Sequence, residues 1–125
     1  MDKTASNPKT TLTPAAFHIL LVLADGENHG YAIMREVADH TGGKMRLGPG
    51  SLYGTIKRML ADGWIEELDE RPDPQIDDER RRYYRLTGVG LKIVRAEAER
   101  LEQLVNIARG KKLLRNPRSV SLSEG

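Results

Sequence analysis

Apolar residues recur at helical spacing in three segments of the first half of the chain. The first segment begins at Thr13 and Pro14, a hydroxyl N-cap followed by proline at the first helical position, and extends to about Ala24. Its apolar residues occupy more than one side, so we expect it to be covered both by its own domain and by a second chain. Similar patterns, each ended by glycine, predict a second helix over residues 29–41 and a third over residues 50–62.

The second half of the chain contains two segments whose residues are typical of β-strands. β-branched and aromatic residues predict strands over residues 64–69 and 81–86, separated by a polar, proline-containing loop at residues 71–79. Residues 45–47 predict one more short strand, and residues 88–112 predict a long last helix.

This order of elements predicts a mainly α fold with a small β-hairpin, a winged helix-turn-helix followed by a long C-terminal helix. The predicted organisation has four parts: a flexible arm at residues 1–11, the winged helix-turn-helix at residues 12–87, a dimerisation helix at residues 88–115 and a disordered tail at residues 116–125.

The third predicted helix has one apolar side and one polar, cationic side. At about 100° per residue, its apolar side consists of Leu52, Ile56, Met59 and Leu60. The opposite side carries Ser51, Gly54, Lys57, Arg58 and Ala61, with Tyr53 and Thr55 on the flanks. A glycine inside a helix costs about 1 kcal/mol relative to alanine, and close approach to a nucleic-acid duplex would compensate for it. We therefore predict that Ser51, Gly54 and Thr55 probe base edges and that Lys57 and Arg58 reach bases or phosphates; the alternative is an ordinary surface helix with two cations.

Charge is distributed in blocks, although the formal net charge is only +2. Residues 44–58 hold four basic and no acidic side chains, residues 62–79 hold nine acidic and one basic, and residues 80–85 hold four arginines. Arg80 and Arg81, near the hairpin tip, are predicted to contact phosphates, because a guanidinium binds phosphate oxygens bidentately. The alternative is a solvated cationic run that is neutralised by the neighbouring acidic residues.

The last predicted helix has an apolar stripe. Its members follow one another at intervals of three and four residues, the spacing of a short coiled coil, and are Leu91, Val94, Ala98, Leu101, Val105 and Ala108. Leu104 and Ile107 widen the stripe. A helix of this length spans roughly 37 Å, so much of it should project beyond a three-helix core. We therefore predict that its apolar stripe is the seam of a homodimer. The alternative is that the helix packs only on its own domain.

Several classes of protein are not expected. The chain has no cysteine, which excludes disulfides, cysteine nucleophiles and thiolate metal sites. Its three histidines lack carboxylate neighbours at metal-ligand spacing, and no phosphate-binding or nucleophile-elbow motif is present. We therefore predict no enzyme, no metal and no cofactor. No apolar run is long enough to span a bilayer, so no membrane partner is expected.

Four blocks of this sequence resemble the PadR-like transcriptional regulators. They are LTPAAFHIL at residues 12–20, HGYAI at 29–33, GPGSLYGTIKRML at 48–60 with Gly63 and Ile65, and RYYRLT at 82–87 with Gly90. The resemblance implies a dimeric repressor with an N-terminal winged helix and, as in the short-tailed subgroup, a single C-terminal dimerisation helix. It also implies DNA contacts from Ser51, Tyr53, Lys57, Arg81 and Arg82, with a half-buried core position as the alternative for Tyr53. The long acidic loop at residues 72–79 departs from the family pattern.

These observations together predict a cytoplasmic, nucleoid-associated homodimer that binds double-stranded DNA at a pseudo-palindromic operator and represses transcription. A small-molecule effector would fit between the first and last helices, near Phe17, Leu21 and Leu101. The competing hypothesis is a winged-helix module that docks on an acidic partner protein.

Overall fold

The computed structural model describes residues 12–68 and 82–115, and the predicted arm, acidic loop and tail lie outside these residues. In chain order, the helices and strands are α1 (Pro14–Ala24), β1 (Asn28–His29), α2 (Gly30–His40), α3 (Pro49–Ala61), β2 (Ile65–Glu67), β3 (Tyr83–Leu86) and α4 (Gly88–Gly110). The predicted fold class, mainly helical with a small antiparallel sheet, is confirmed.

Helix α1 begins as its sequence predicts. The Thr13 Oγ1 atom accepts a hydrogen bond from the Ala16 N–H group at 3.1 Å, and Pro14 occupies the first helical turn. The helix ends at Ala24 with Asp25 as its C-cap, and Gly26 follows with φ +136°, a conformation that L side chains rarely adopt.

The start of α2 differs from the prediction by one residue. His29 is not the first helical residue but the N-cap, and its Nδ1 atom accepts a hydrogen bond from the Ala32 N–H group at 3.1 Å. The same residue ends β1, a two-residue strand that the sequence pattern did not reveal because it is too short to alternate.

The strand predicted at residues 45–47 is wrong. These residues form no strand, and the Met45 N–H group donates instead to Thr41 Oγ1 at 3.0 Å. In a strand, the Met45 N–H group would pair with a neighbouring strand. Here the Thr41 side chain provides its hydrogen-bond partner instead.

Within the described residues the sheet has three antiparallel strands in the order β1-β3-β2. Strand β3 is central and pairs Tyr84 with Asn28 on one side and with Glu67 on the other. The core includes residues from every helix as well as Trp64, Ile65 and Tyr84; its helical members include Ile19, Leu20, Ile33, Leu52, Ile56, Met59 and Val94.

Helix α4 begins against the turn that ends α3. The Thr87 Oγ1 atom accepts a hydrogen bond from the Gly90 N–H group at 3.1 Å and donates to the Gly63 carbonyl at 2.5 Å. A Cβ on Gly90 would clash with the Trp64 carbonyl oxygen, so this close approach requires glycine. The chain divides into two compact units, Met1–Val94 and Arg95–Gly125, and the first two turns of α4 belong to the first unit.

Candidate nucleic-acid interface

The outer side of α3 is open. Ser51, Lys57 and Arg58 are exposed, as the helical projection predicts. Outside the backbone of the helix itself, the nearest described atom to a Cβ built on Gly54 is Arg58 Nη1, at 3.8 Å. The outer side of α3 is therefore a solvent-exposed, cationic surface, and the missing side chain at Gly54 leaves room for the close approach of a duplex.

The predicted role of Thr55 must be corrected. Its side chain is not on the flank of the open side but 4 % exposed, because three residues beyond Leu52 it falls within the buried side of the helix. Its Oγ1 atom accepts a hydrogen bond from Arg58 Nη2 at 3.3 Å. Thr55 thus orients a cation of the open side instead of facing a ligand itself.

The Tyr53 ring packs on the first residue of α2. A Cβ on Gly30 would lie 2.5 Å from the Tyr53 hydroxyl oxygen, and that oxygen is buried. The Tyr53 side chain is half-buried, as the core alternative expects, but it also lines the groove between α3 and the β-hairpin, so its contact with DNA stays a prediction. Gly30 is required here because any side chain would displace the ring.

A groove runs between α3 and the β-hairpin. Its volume is about 460 Å³, and its lining residues include Gly54, Lys57, Glu67, Arg82 and Tyr84. The Nε atom of Arg82 lies 3.7 Å from Glu67 Oε2. The structure thus brings four predicted contact residues to one groove, Tyr53, Gly54, Lys57 and Arg82, and it adds an acidic residue, Glu67, that the sequence analysis did not single out. Arg80 and Arg81 lie outside the described residues.

The other face of the hairpin carries a second ion pair. The Arg85 Nε atom lies 2.6 Å from Glu66 Oε2, and both side chains are exposed. The two residues are direct cross-strand partners in the register of β2 and β3. Arg85 is therefore paired on a surface that does not line the groove.

The predicted dimer seam is corrected at one position, Val94. Val94 is 4 % exposed and belongs to the core of the first unit, since the start of α4 completes that core. Leu91 is exposed and lines an open pocket of about 330 Å³ together with Leu23 and Leu86, so its place in the seam stays a prediction. The Val94 side chain is thus packed within its own chain and is not exposed for contact with a second copy.

The second unit presents apolar side chains on its own surface. Leu104, Val105 and Ile107 are exposed, and Leu101 and Ala108 are partly exposed, whereas Ala98 is exposed but small. On the polar part of the helix, the hydrogen bond from Arg100 lowers the pKa of the Glu97 carboxyl from its ordinary value. Residues 95–115 therefore display a solvated polar part and an uncovered apolar part.

The residues of the predicted effector pocket are in different units. Phe17 and Leu21 are partly buried against the core of the first unit, and Leu101 is in the second. The pocket stays a prediction.

The described residues contain no cluster of histidine, cysteine or carboxylate side chains that could hold a metal ion. None of the helices within residues 12–68 and 82–115 combines the length and hydrophobicity needed to cross a bilayer.

Sequence reasoning missed Glu67 because it counted the acidic residues of the hairpin as one block. The signal was available: Ile65 is apolar, and strand alternation places Glu67 on the same face as Ile65 and Glu66 on the other. Combined with pairing to β3, that alternation would have put a carboxylate beside Arg82.

Known proteins resemble this chain over most of its described length. A model of the PadR-like family of transcriptional regulators matches residues 19–96. The chain is 36% identical over 87 residues to a transcriptional regulator of Mycobacterium tuberculosis, which covers 70% of this chain and 75% of that protein. It is also 37% identical over 86 residues, 69% of this chain, to an uncharacterized 37.1 kDa transposon protein of Streptomyces fradiae, and it spans only 22% of that protein's length.

Solved structures share the fold. A transcriptional regulator from Clostridium thermocellum matches with a TM-score of 0.62 at 24% identity, over 77% of this chain and 87% of that one. The Bacillus subtilis PadR protein, solved in complex with operator DNA, matches with a TM-score of 0.59 at 19% identity, over 70% of this chain and 48% of that one.

Proposed function

Because the chain belongs to the PadR-like family of transcriptional regulators, we propose that it is a homodimer that binds a pseudo-palindromic DNA operator and represses transcription at that site. Such a protein acts at the chromosome, so the proposal includes association with the nucleoid. The observation that carries the proposal is the open cationic side of α3, where Ser51, Lys57 and Arg58 are exposed around Gly54.

In this proposal the N-terminal part of α3 enters the major groove. Ser51 is small, and Gly54 has no side chain, so the helix backbone can approach the base edges closely. Lys57 and Arg58 then reach bases or flanking phosphates. The hydrogen bond from Arg58 to Thr55 reduces the rotamer freedom that Arg58 would lose on binding.

The hairpin supplies the second contact. Arg82 borders the same groove as Lys57, so both cations can reach one segment of duplex. Arg80 and Arg81 are proposed to continue this line of phosphate contacts towards the hairpin tip. Residues 12–87 are thus proposed as the DNA-binding domain. In it, α3 contacts the bases and the hairpin contacts the phosphates.

Residues 88–115 are proposed as the dimerisation helix. The proposed seam consists of Leu91, Ala98, Leu101, Val105 and Ala108, is widened by Leu104 and Ile107, and excludes the buried Val94. Support comes from the exposure of large apolar side chains in a single chain, which water disfavours. A two-fold dimer presents two α3 helices to successive major grooves.

The experiment is a selection of bound sequences from random double-stranded DNA. We expect an inverted repeat whose half-sites lie about one helical turn apart. Arg81→Ala should weaken binding to the selected operator and leave dimerisation intact. Salt-sensitive binding without a preferred sequence would contradict the operator proposal. No retention on DNA would favour the docking of an acidic partner protein.

A further inference from the structure

We propose that Glu67 is an intramolecular competitor of DNA phosphate for Arg82, and that it weakens the DNA binding of this chain and lowers its salt dependence. The inference rests on the proposed function, because it concerns the same surface. It assigns a role to a carboxylate that belongs to no predicted contact.

Three charged residues of the described chain line the groove between α3 and the hairpin: Lys57, Arg82 and Glu67. Arg82 and Glu67 form an ion pair there, so the groove offers a phosphate less positive charge than its two cations alone would provide. A duplex that enters the groove meets a carboxylate among the groups that should attract it.

The register of the hairpin explains why this carboxylate faces the groove. Glu67 lies opposite the buried Tyr84, and both line the groove, whereas Glu66 lies opposite Arg85 and neither of these does. Successive side chains of a strand point to opposite faces. Two neighbouring glutamates with the same charge are therefore divided between the groove and the other face of the hairpin.

The two ion pairs also differ in strength. The Arg85–Glu66 distance of 2.6 Å is that of a charge-assisted hydrogen bond, whereas the Arg82–Glu67 distance is 3.7 Å. The Arg82 and Glu67 side chains are 42% and 33% exposed, so water screens their attraction. Arg82 is thus held weakly enough to exchange Glu67 for phosphate, whose oxygens can accept two hydrogen bonds from one guanidinium.

This exchange sets the sign of the effect. When Arg82 turns to a phosphate, Glu67 loses its partner and stays beside the DNA, where like charges repel. Glu67 could instead assist binding by holding Arg82 in place, but a single long, solvated contact restricts a long side chain little. The net contribution of Glu67 to DNA binding is therefore unfavourable.

The test compares four proteins on the selected operator duplex, labelled with fluorescein, by fluorescence anisotropy over a range of salt concentrations: the wild type, Glu67→Gln, Glu66→Gln and the double variant Glu67→Gln/Arg82→Ala. Each glutamine is isosteric with the glutamate it replaces, and both glutamates are exposed. Glu66→Gln removes the same charge one residue away but from the other face of the hairpin, so it serves as the control for an unspecific change in net charge.

We expect Glu67→Gln to tighten binding by roughly threefold to tenfold at low salt. The slope of log K against log salt should become steeper by up to about 0.9, the value for one additional neutralised phosphate. Glu66→Gln should stay within roughly twofold of the wild type, since its charge is screened at greater distance. In the double variant most of the gain should disappear, because no Arg82 is left to be released.

Equal or weaker binding by Glu67→Gln would overturn the proposal, and so would an equal gain from Glu66→Gln. Adding Lys57→Ala separates this failure from failure of the proposed function. If the wild type binds, Lys57→Ala weakens binding and Glu67→Gln does not strengthen it, only the competitor role is wrong. If the wild type shows no binding to any duplex, the proposed function and the competitor role both fall.

Discussion

The chain up to Val94 and the chain beyond it use apolar residues in opposite ways. All buried hydrophobic residues of the described chain lie between Ala16 and Val94, whereas residues 95–115 expose Leu104, Val105 and Ile107. The first unit therefore has a core of its own. The second unit has an apolar surface that is exposed to solvent in a single chain. A second copy of the chain could cover this surface. One continuous helix, α4, changes from the first use to the second at about Val94.

The largest effect is expected where the first unit has no spare room. Gly90→Ala should lower the free energy of unfolding by about 3 kcal/mol or more, because the added Cβ would clash with a backbone oxygen that cannot turn away. Urea unfolding followed by the fluorescence of Trp64, the single and buried tryptophan, measures it. Gly88→Ala is the control, since no described atom beyond its chain neighbours and the adjacent backbone of α4 lies within 4 Å of its added Cβ. Equal losses in the two variants would contradict the packing described for α4.

The next effect should fall on the second unit alone. The double variant Leu101→Glu/Val105→Glu should raise the dimer dissociation constant by roughly two orders of magnitude or more, as expected when two apolar side chains can no longer be buried. Sedimentation equilibrium measures the dissociation constant. The exposed Glu102→Gln should leave it unchanged, and Trp64 should stay buried in all three proteins. A wild-type protein that is monomeric at high concentration would contradict the claim that the apolar residues of the second unit form a dimer seam.

A smaller effect is expected at the N-cap of α2, within the first unit. His29→Ala should cost about 1 kcal/mol of stability, because the Ala32 N–H group loses its acceptor. His29→Asn restores a side-chain acceptor, although both variants lose the ring contact with Tyr83. Thermal unfolding of the two proteins isolates the cap, and equal midpoints would show that His29 does not act as one.

The smallest effect should come from the outer face of the hairpin. Breaking the Arg85–Glu66 pair by Glu66→Ala should cost about 0.5 kcal/mol or less, because the pair is exposed and screened. Urea unfolding at low and high salt measures the loss. A cost comparable with that of Gly90→Ala would mean that the hairpin surface, and not the core, holds the first unit together.

Within the first unit, local sequence signals describe some features and miss others. The helix start at Thr13 was predictable because a hydroxyl cap is a local signal, and the open side of α3 followed from its periodicity. The same periodicity, counted from Leu52, is enough to place Thr55 on the buried side of the helix. The burial of the Tyr53 hydroxyl could not be predicted in this way, since it depends on a packing partner distant in sequence, Gly30.

Helix α4 illustrates the same limit. Its apolar residues follow one another at intervals of three and four without a break, so the pattern placed Val94 and Leu101 in one stripe. Val94 is buried in the core of the first unit, whereas Leu101 is partly exposed in the second. The sequence carries a sign of the change in Gly90, whose absent side chain marks the part of the helix that packs on its own domain. The length of that packed part depends on the three-dimensional position of Trp64, which periodicity does not encode.

The central claim is that the open side of α3 binds DNA, and the most direct test is a titration of the selected operator with Lys57→Ala and Lys92→Ala at moderate salt. Each variant removes one exposed cation from the first unit, but only Lys57 belongs to the open side of α3. We predict that Lys57→Ala weakens binding about tenfold or more and that Lys92→Ala stays within roughly twofold of the wild type. Wild-type affinity in Lys57→Ala would contradict the account.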